Sequence, residues 1–286
     1  MILRNSRRQF LKRAGASGLF LLGGGVSLLQ PRIARAAKPT QADAIARISD
    51  LAASSAIASY DWKNRGKAPA GYIKGMAVSY AKLYHELGAG SAAAIEMAKA
   101  MTDDASKDAL RHYEDVFKQA EMDNTKDGAD TLRHLFVLML GLGMRESSGK
   151  HCEGRDRSAN NTTAETAEAG LFQTSWNARR ASPLLPKLFT DFMASPTPSY
   201  LDIFKEGVHC KEANLENFGD GDGRDFQKLS KECPFFAVAF AAIGLRNIRR
   251  HWGPINRHDA EIKPDADAMF MEVQTLVDHD KLGPLL

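Results

Sequence analysis

The stretch from Asp130 to Arg145, DTLRHLFVLMLGLGMR, is apolar almost all round when it is wound as an α-helix. A second stretch, Pro234–His251 (PFFAVAFAAIGLRNIRRH), has the same character. Helices without a polar face are usually buried on all sides, so the two stretches predict the centre of a helical protein. We expect Asp130 to cap the first helix. We expect Pro234 in the first turn of the second helix, with Gly253-Pro254 beyond its end.

Around this pair, apolar residues three and four positions apart predict further helices. The longer ones cover Ile73–Leu87, Leu110–Ala120 and Ala266–Val277, and short ones are expected at Leu184–Phe192 and Tyr200–Glu206. Alternation of the kind found in strands is almost absent. We therefore predict a mainly α fold that is built around the two central helices.

The N-terminus has the features of an export signal. Ser6–Lys12 (SRRQFLK) resembles the twin-arginine consensus, a glycine-rich apolar stretch follows, and Ala34-Arg35-Ala36 is a small-x-small cleavage pattern. The apolar stretch is shorter than the ~20 residues that span a bilayer. We expect residues 1–36 to be removed as a twin-arginine signal peptide, leaving a periplasmic or secreted chain without a stable membrane anchor.

Removal of residues 1–36 changes the charge of the protein. This segment holds seven of the 38 Lys and Arg residues and no Asp or Glu, which leaves 31 basic against 35 acidic residues and a net charge of −4. An acidic chain gives no reason to expect nucleic acid as a partner, and we expect a monomer. The remaining length suits one large domain, in which an N-terminal helical region (37–127) packs on a core region (128–286).

The three cysteines, Cys152, Cys210 and Cys233, all follow the signal. An oxidising compartment permits one disulfide and leaves one thiol over. Cys210–Cys233 is the preferred pairing because the two residues flank one polar loop. Both pairings that use Cys152 stay open.

The chemistry is expected where the first buried helix ends, at Met144–Lys150 (MRESSGK). This segment places the carboxyl group of Glu146 at the C-terminal end of a buried helix. Burial and the partial negative charge of a helix C-terminus both disfavour ionisation of a carboxyl group. A glutamate that stays protonated near neutral pH can act as a general acid and protonate a glycosidic oxygen.

Glu146-Ser147, followed by Gly170-Leu171-Phe172-Gln173, resembles the Glu-Ser … Gly-Leu-Met-Gln signature of the soluble lytic transglycosylase and goose-type lysozyme superfamily. The resemblance implies a lysozyme-like helical domain, here with additional N-terminal helices, that cleaves peptidoglycan glycan strands between MurNAc and GlcNAc. It implies that Glu146 is the catalytic acid, with no cofactor and no metal. The expected substrate-binding residues are Ser147, Gly170, Leu171, Phe172 and Gln173, together with Trp176, whose ring could stack on a sugar.

The mechanism depends on a second carboxylate. An inverting hydrolase needs one about 6.5–9.5 Å from the acid to activate water, and Asp156 is the first candidate, ahead of Glu165 and Glu168. A lytic transglycosylase needs none, because the acid's conjugate base takes a proton from the C6 hydroxyl of the sugar. Many goose-type lysozymes have an aspartate where this chain has Ser175, which favours transglycosylation and a 1,6-anhydro product.

One other function stays open, and a redox enzyme is disfavoured. The Ala-Tyr-Asn-Ala-Gly turn of many relatives is replaced at 239–244 by AFAAIG, which suits a non-catalytic protein that binds peptidoglycan or scaffolds the wall. A redox enzyme would need the cysteine or glycine motifs of cofactor sites, which the chain lacks. The tight loop at the start of Tyr60–Lys82 could form the far wall of a cleft.

No metal site is predicted. His151, His251 and His258 lack a metal-ligand spacing. Asp220–Asp225 (DGDGRD) departs from the calcium-loop pattern and is expected to be a turn-rich loop. Trp252, at the end of the second buried helix, is expected to pack in the core.

Overall fold

Helices dominate the computed structural model, which describes residues 40–157 and 162–286. They account for 62% of the structure and strands for 2%, which confirms the mainly α class. The signal predicted at 1–36 lies outside the described residues. In chain order the α-helices are α1 Gln41–Ser54, α2 Ala70–Gly88, α3 Ala92–Ala98, α4 Ala109–His112, α5 Glu114–Gln119, α6 Ala129–Ser147, α7 Leu184–Ala194, α8 Leu201–Phe204, α9 Gly221–Glu232, α10 Pro234–Asn247, α11 Gly253–Asn256 and α12 Pro264–Asp280.

The two apolar stretches form α6 and α10, and both are buried along almost their whole length. Gly128 occupies the N-cap of α6, so the prediction that Asp130 caps this helix is wrong. Asp130 lies inside the first turn, where its carboxylate is 2.6 Å from Arg133 Nη1. Pro234 begins α10 as predicted. Gly253-Pro254 lies beyond the end of α10 and opens α11.

The other helices surround this pair. Helix α6 packs against α2, α3 and α12, and α10 packs against α3, α7 and α9. Helices from the 37–127 region and from the 128–286 region contribute to the same hydrophobic core, and the described residues belong to one compact unit. None of the helices in the described part of the chain has both the length and the hydrophobicity needed to cross a bilayer.

Helix α9 occupies the segment that was expected to be a loop. Asp220 stands at its N-cap position and Asp222 lies in its first turn, where negative charge is favourable because the helix N-terminus is partly positive. Its apolar residues Phe226 and Leu229 are buried. The loop prediction for DGDGRD is therefore wrong, because burial of the apolar side of α9 outweighs the low helix propensity of aspartate and glycine.

The disulfide joins Cys152 to Cys210, with 5.9 Å between the Cα atoms. Cys233 is a buried free thiol, and it lies at the junction of α9 and α10. The preferred Cys210–Cys233 pairing is therefore wrong. Nearness along the sequence was misleading here, because the fold brings Cys210 against the segment that follows α6.

Candidate active site

Helix α6 ends directly after the Glu146-Ser147 pair. Ser148 (φ 55°) and Gly149 (φ 73°) both have left-handed backbone conformations, and the Gly149 N–H donates to the Gly143 carbonyl at 3.2 Å. A Cβ atom at Gly149 would lie 2.8 Å from the Tyr72 ring, so both the backbone and the available space require glycine. The chain leaves the helix axis here, with Glu146 on the last turn.

Tyr72 of α2 holds the C-terminal half of α6. Its side chain is fully buried, and its hydroxyl lies 3.1 Å from the Met139 carbonyl and 3.0 Å from the Leu140 carbonyl, to which it donates. The Tyr72 ring fits against α6 because Gly143 has no side chain. A Cβ atom at Gly143 would overlap the Tyr72 hydroxyl. This contact between α2 and α6 determines where Glu146 lies.

Glu146 is half-buried, and its pKa is raised to about 8. The main cause is burial, which removes water from the carboxylate, and the second is the negative charge of Glu168. Arg257, Arg65 and Arg145 act in the opposite direction. The carboxyl group is therefore protonated at neutral pH, in agreement with the expectation for a general acid.

A short hairpin lies beside the end of α6. Its strands, β1 (Asp61–Trp62) and β2 (Gly66–Lys67), pair antiparallel, and the turn between them carries Arg65. The Arg65 guanidinium donates to the Arg145 carbonyl, while the Arg145 guanidinium donates to the Lys63 carbonyl at 3.0 Å. The loop that was expected to form a cleft wall is thus attached to the residue before Glu146.

Two exposed guanidiniums act on Glu146, those of Arg65 and Arg257. Arg257 follows α11, and its Nε donates to Asp259 Oδ2 at 2.8 Å. Reasoning from the sequence missed Arg257, because nothing in its neighbourhood distinguishes it from an ordinary surface arginine. For Arg65 the only signal was its place in the tight loop.

The second half of the motif forms a turn against the segment that follows α6. The Gly170 N–H donates to the Glu153 carbonyl at 2.8 Å, and Gln173 Nε2 donates to the Gly170 carbonyl at 3.1 Å. Gly170 has φ 76°, and a Cβ atom there would lie 2.8 Å from the Ser230 carbonyl oxygen. Glycine is required here by the positive φ and by the contact with α9.

Four of the predicted substrate-binding side chains are buried, and these predictions need correction. Leu171 and Phe172 belong to the hydrophobic core, so a ligand could meet only their backbone. The Trp176 ring packs against Phe189, with 4.4 Å between ring centroids, and does not offer a face to a sugar. The Ser147 hydroxyl donates to the Gly143 carbonyl at 3.1 Å within α6.

Trp252 packs in the core as predicted, and its ring N–H donates to the Phe172 carbonyl at 2.8 Å. The motif turn is therefore attached to the segment that follows α10 as well as to the segment that follows α6. Of the predicted binding residues, Gln173 is the one whose side chain stays half-exposed at this turn.

The three candidate carboxylates have different surroundings. Asp156 is exposed, in a loop whose arginines on either side both pair with Glu216. Glu165 pairs with Arg179 at 2.7 Å and with Arg180 at 3.6 Å. Glu168 is half-buried, and its charge raises the pKa of Glu146. Of the three, Glu168 is the carboxylate whose charge acts on Glu146.

One group of potential metal ligands occurs among the described residues, away from Glu146. His151, Cys152 and Cys210 offer ligand atoms that all lie within 4.8 Å of one another, although the two sulfur atoms are joined in the disulfide. The spacing along the sequence did not reveal this group, because Cys210 is brought in by the fold.

The fold and the site define a mainly α-helical protein in which a protonated glutamate ends a buried helix beside a second carboxylate. Comparisons of the chain with models of protein families, with characterised proteins and with solved structures gave no match. Cavities of about 310 Å³ beside Phe117 and about 440 Å³ beside Cys233 occur elsewhere on the molecule, and Glu146 lines neither.

Proposed function

We propose that this protein cleaves peptidoglycan glycan strands between MurNAc and GlcNAc, with Glu146 as the general acid. The observation that carries the proposal is the pKa of Glu146, raised to about 8 by burial and by Glu168. A carboxyl group with this pKa holds its proton at neutral pH and can still release it to a leaving oxygen. We further propose that the helical body is lysozyme-like and is exported by the twin-arginine route.

In the first step, the Glu146 proton moves to the glycosidic oxygen, and the bond from that oxygen to C1 breaks with its electron pair on the oxygen. Glu146 is left as a carboxylate. The positive charges of Arg65, Arg145 and Arg257 favour this ionised form, since they lower the pKa of Glu146. The three arginines would therefore stabilise the Glu146 carboxylate that forms when the proton is transferred.

Two second steps are chemically complete. In hydrolysis, the Glu168 carboxylate takes a proton from water while the hydroxide oxygen bonds to C1. In transglycosylation, the Glu146 carboxylate takes the proton of the C6 hydroxyl while O6 bonds to C1, which gives a 1,6-anhydro sugar. In the sequence, Ser175 at the position where many goose-type lysozymes have aspartate favoured transglycosylation. We propose that Glu168, whose charge raises the pKa of Glu146, is the carboxylate that would activate water if the reaction is hydrolysis.

The charges around the acid suit an anionic glycan. Peptidoglycan carries the carboxylates of its peptide stems, and the lactyl carboxylate of MurNAc where no stem is attached. Arg65 and Arg257 are exposed beside Glu146, and guanidinium groups bind carboxylates well. We propose that these two arginines bind acidic groups of the strand on either side of the scissile bond.

The test compares wild type, Glu146→Gln, Glu168→Gln and Glu165→Gln by zymography on peptidoglycan. Clearing by wild type is expected to fall at least a hundredfold in Glu146→Gln, in the range measured for general acid catalysis. The rate of clearing by wild type is expected to fall above about pH 8, where Glu146 loses its proton. Glu165→Gln is the matched control, since Glu165 pairs with Arg179 and Arg180. Equal clearing by wild type and Glu146→Gln would refute the acid role.

Product masses separate the two second steps. Hydrolysis leaves reducing ends that carry the added water, and Glu168→Gln is then expected to lose activity together with Glu146→Gln. Anhydro ends that persist in Glu168→Gln would establish transglycosylation. Binding of peptidoglycan without clearing by wild type would leave the non-catalytic wall-binding protein as the function.

A further inference from the structure

The cluster of His151, Cys152 and Cys210 lies outside the site around Glu146. His151 and Cys152 follow the end of α6, and the disulfide brings Cys210 from a segment 58 residues further along the chain. The imidazole of His151 is 5% exposed, and its Nε2 lies 3.7 Å from Cys210 Sγ. Nothing in the proposed cleavage of glycans uses these residues.

The hydrogen bonding of His151 determines which ring nitrogen is free. Its Nδ1 lies 3.0 Å from the Lys231 carbonyl oxygen, and a carbonyl only accepts, so Nδ1 carries the hydrogen. In the neutral ring the lone pair is then on Nε2, the atom that faces Cys210. A disulfide sulfur has no proton to donate to this lone pair. A histidine that binds a metal through one ring nitrogen commonly donates its other N–H to a backbone carbonyl, and His151 already makes that second contact through Nδ1.

We propose that reduction of the Cys152–Cys210 disulfide converts this cluster into a Zn²⁺ site with ligands His151 Nε2, Cys152 Sγ and Cys210 Sγ. In tetrahedral zinc coordination, with Zn–S of about 2.3 Å and Zn–N of about 2.0–2.1 Å, a nitrogen and a sulfur ligand lie about 3.6 Å apart. The present separation of 3.7 Å between Nε2 and Cys210 Sγ already matches. Two sulfur ligands of one zinc ion lie about 3.8 Å apart. The main structural change on metal binding is therefore that the two sulfur atoms, which are bonded in the disulfide, move apart to this distance.

The chemistry balances with a dithiol as the reductant. The dithiol gives two electrons and two protons to the Cys152–Cys210 bond and is itself oxidised to a disulfide. Zn²⁺ then displaces one proton from each thiol and binds the two thiolates. The two negative charges of the thiolates balance the charge of the metal ion. His151 binds through its lone pair and releases no proton.

The surroundings leave room for a fourth ligand. A cavity of about 480 Å³ is lined by all three residues, together with Lys205, Lys228 and other residues of the 205–232 region. Water from the cavity can complete a four-coordinate site.

The test uses the full chain, reduced anaerobically with a phosphine that is then removed, and titrated with Co²⁺ as a spectroscopic substitute for Zn²⁺. Reduced wild type is expected to bind one equivalent of Co²⁺ with a thiolate-to-cobalt charge-transfer band that Zn²⁺ abolishes. The oxidised protein is expected to show no such band. His151→Gln is expected to bind Co²⁺ at least tenfold more weakly, whereas Cys233→Ser is expected to match wild type.

A second measurement does not depend on any substitution. Zn²⁺ is expected to raise the melting temperature of the reduced protein and to leave that of the oxidised protein unchanged, since a metal bound only by the folded state stabilises it. Reduced wild type that binds no Co²⁺, or that gains no stability from Zn²⁺, would overturn the proposal. Equal Co²⁺ affinity of wild type and His151→Gln, or a band that requires Cys233, would also overturn it.

Discussion

At the scale of single residues, the proton of Glu146 links the candidate site to the stability of the protein. The pKa of Glu146 is about 8 in the folded chain, above the ordinary value near 4.3 that the unfolded chain should show. Between these two values the folded state binds the extra proton, so the free energy of unfolding falls as the pH rises. This contribution is complete below about pH 4 and is lost once the pH exceeds about 8.

We therefore expect Glu146→Gln to be more stable than wild type at pH 9, because glutamine carries no charge to bury. The difference in unfolding free energy between variant and wild type should grow from pH 4 to pH 9 by at least about 1 kcal/mol, the equivalent of one pKa unit. Denaturant unfolding at several pH values measures it. Glu272→Gln, at an exposed position of α12, is the control. A constant difference for Glu146→Gln across this range would contradict the expected burial of charge.

The sequence pointed to Glu146 as the candidate acid but did not reveal its surroundings. Glu146 could be found because the end of an apolar helix and a short motif are both local features. The burial of Trp176 against Phe189 depends on the distant helix α7, and the influence of Glu168 and Arg257 on Glu146 depends on two further loops. Those contacts exist only in the folded chain, so spacing along the sequence did not reveal them.

At the scale of elements, the packing of α2 on α6 sets the position of the candidate acid. Tyr72 fills the space that Gly143 leaves open, one turn before Glu146. Gly143→Ala should force the two helices apart and lower the free energy of unfolding by about 1–3 kcal/mol, as overpacking does elsewhere. The clearing of peptidoglycan should fall with it, because the end of α6 moves. Chemical denaturation and zymography measure the two effects.

The matched control is Gly88→Ala, because a Cβ atom at this position of α2 meets nothing within 4 Å. It should be neutral or slightly stabilising, since alanine favours helix more than glycine does. Combining Gly143→Ala with Tyr72→Phe removes the hydroxyl from the overlap and should restore part of the stability. If Gly143→Ala behaves like Gly88→Ala, the contact does not position α6.

Among the helices, the sequence predicted the strongly apolar ones and missed α1, whose buried residues are Ala44, Ile48 and Ala52. Helices α2, α6, α10 and α12 present long runs of large apolar side chains, and periodicity is sufficient to find them. Helix α9 buries mainly Phe226 and Leu229 on its apolar side, among polar residues that dominate the local composition. Its start at Asp-Gly-Asp-Gly was interpreted as a turn for this reason.

At the scale of the whole molecule, the Cys152–Cys210 disulfide closes a loop between residues that are 58 positions apart in the sequence. Closing a loop of this length should stabilise the folded state by about 4 kcal/mol in the chain-entropy description. The double variant Cys152→Ser and Cys210→Ser should lose about this amount when unfolded in the presence of a chelator. Denaturant titration of the oxidised wild type gives the reference.

Peptide mapping without reduction checks the pairing itself. A linked peptide pair that contains Cys152 and Cys210, with Cys233 alkylated only after unfolding, is the expected result. A linked Cys210–Cys233 pair would contradict the structure. The pairing could not be predicted from the sequence, because an unfolded chain can form any of the three possible disulfides. Only in the folded chain does the packing of Cys233 into the core exclude Cys233 from a disulfide.

The position of the disulfide also determines what a single backbone cut would do. The Cys152–Cys210 bond encloses every peptide bond between residues 153 and 209, including those on both sides of the Gly170–Gln173 turn. A protease that nicks the chain once in this interval therefore leaves one covalent molecule, which migrates as a single band on a gel without reductant and as two bands with it. The glutamate at the end of α6 and the Gly170–Gln173 turn would stay tethered after such a nick.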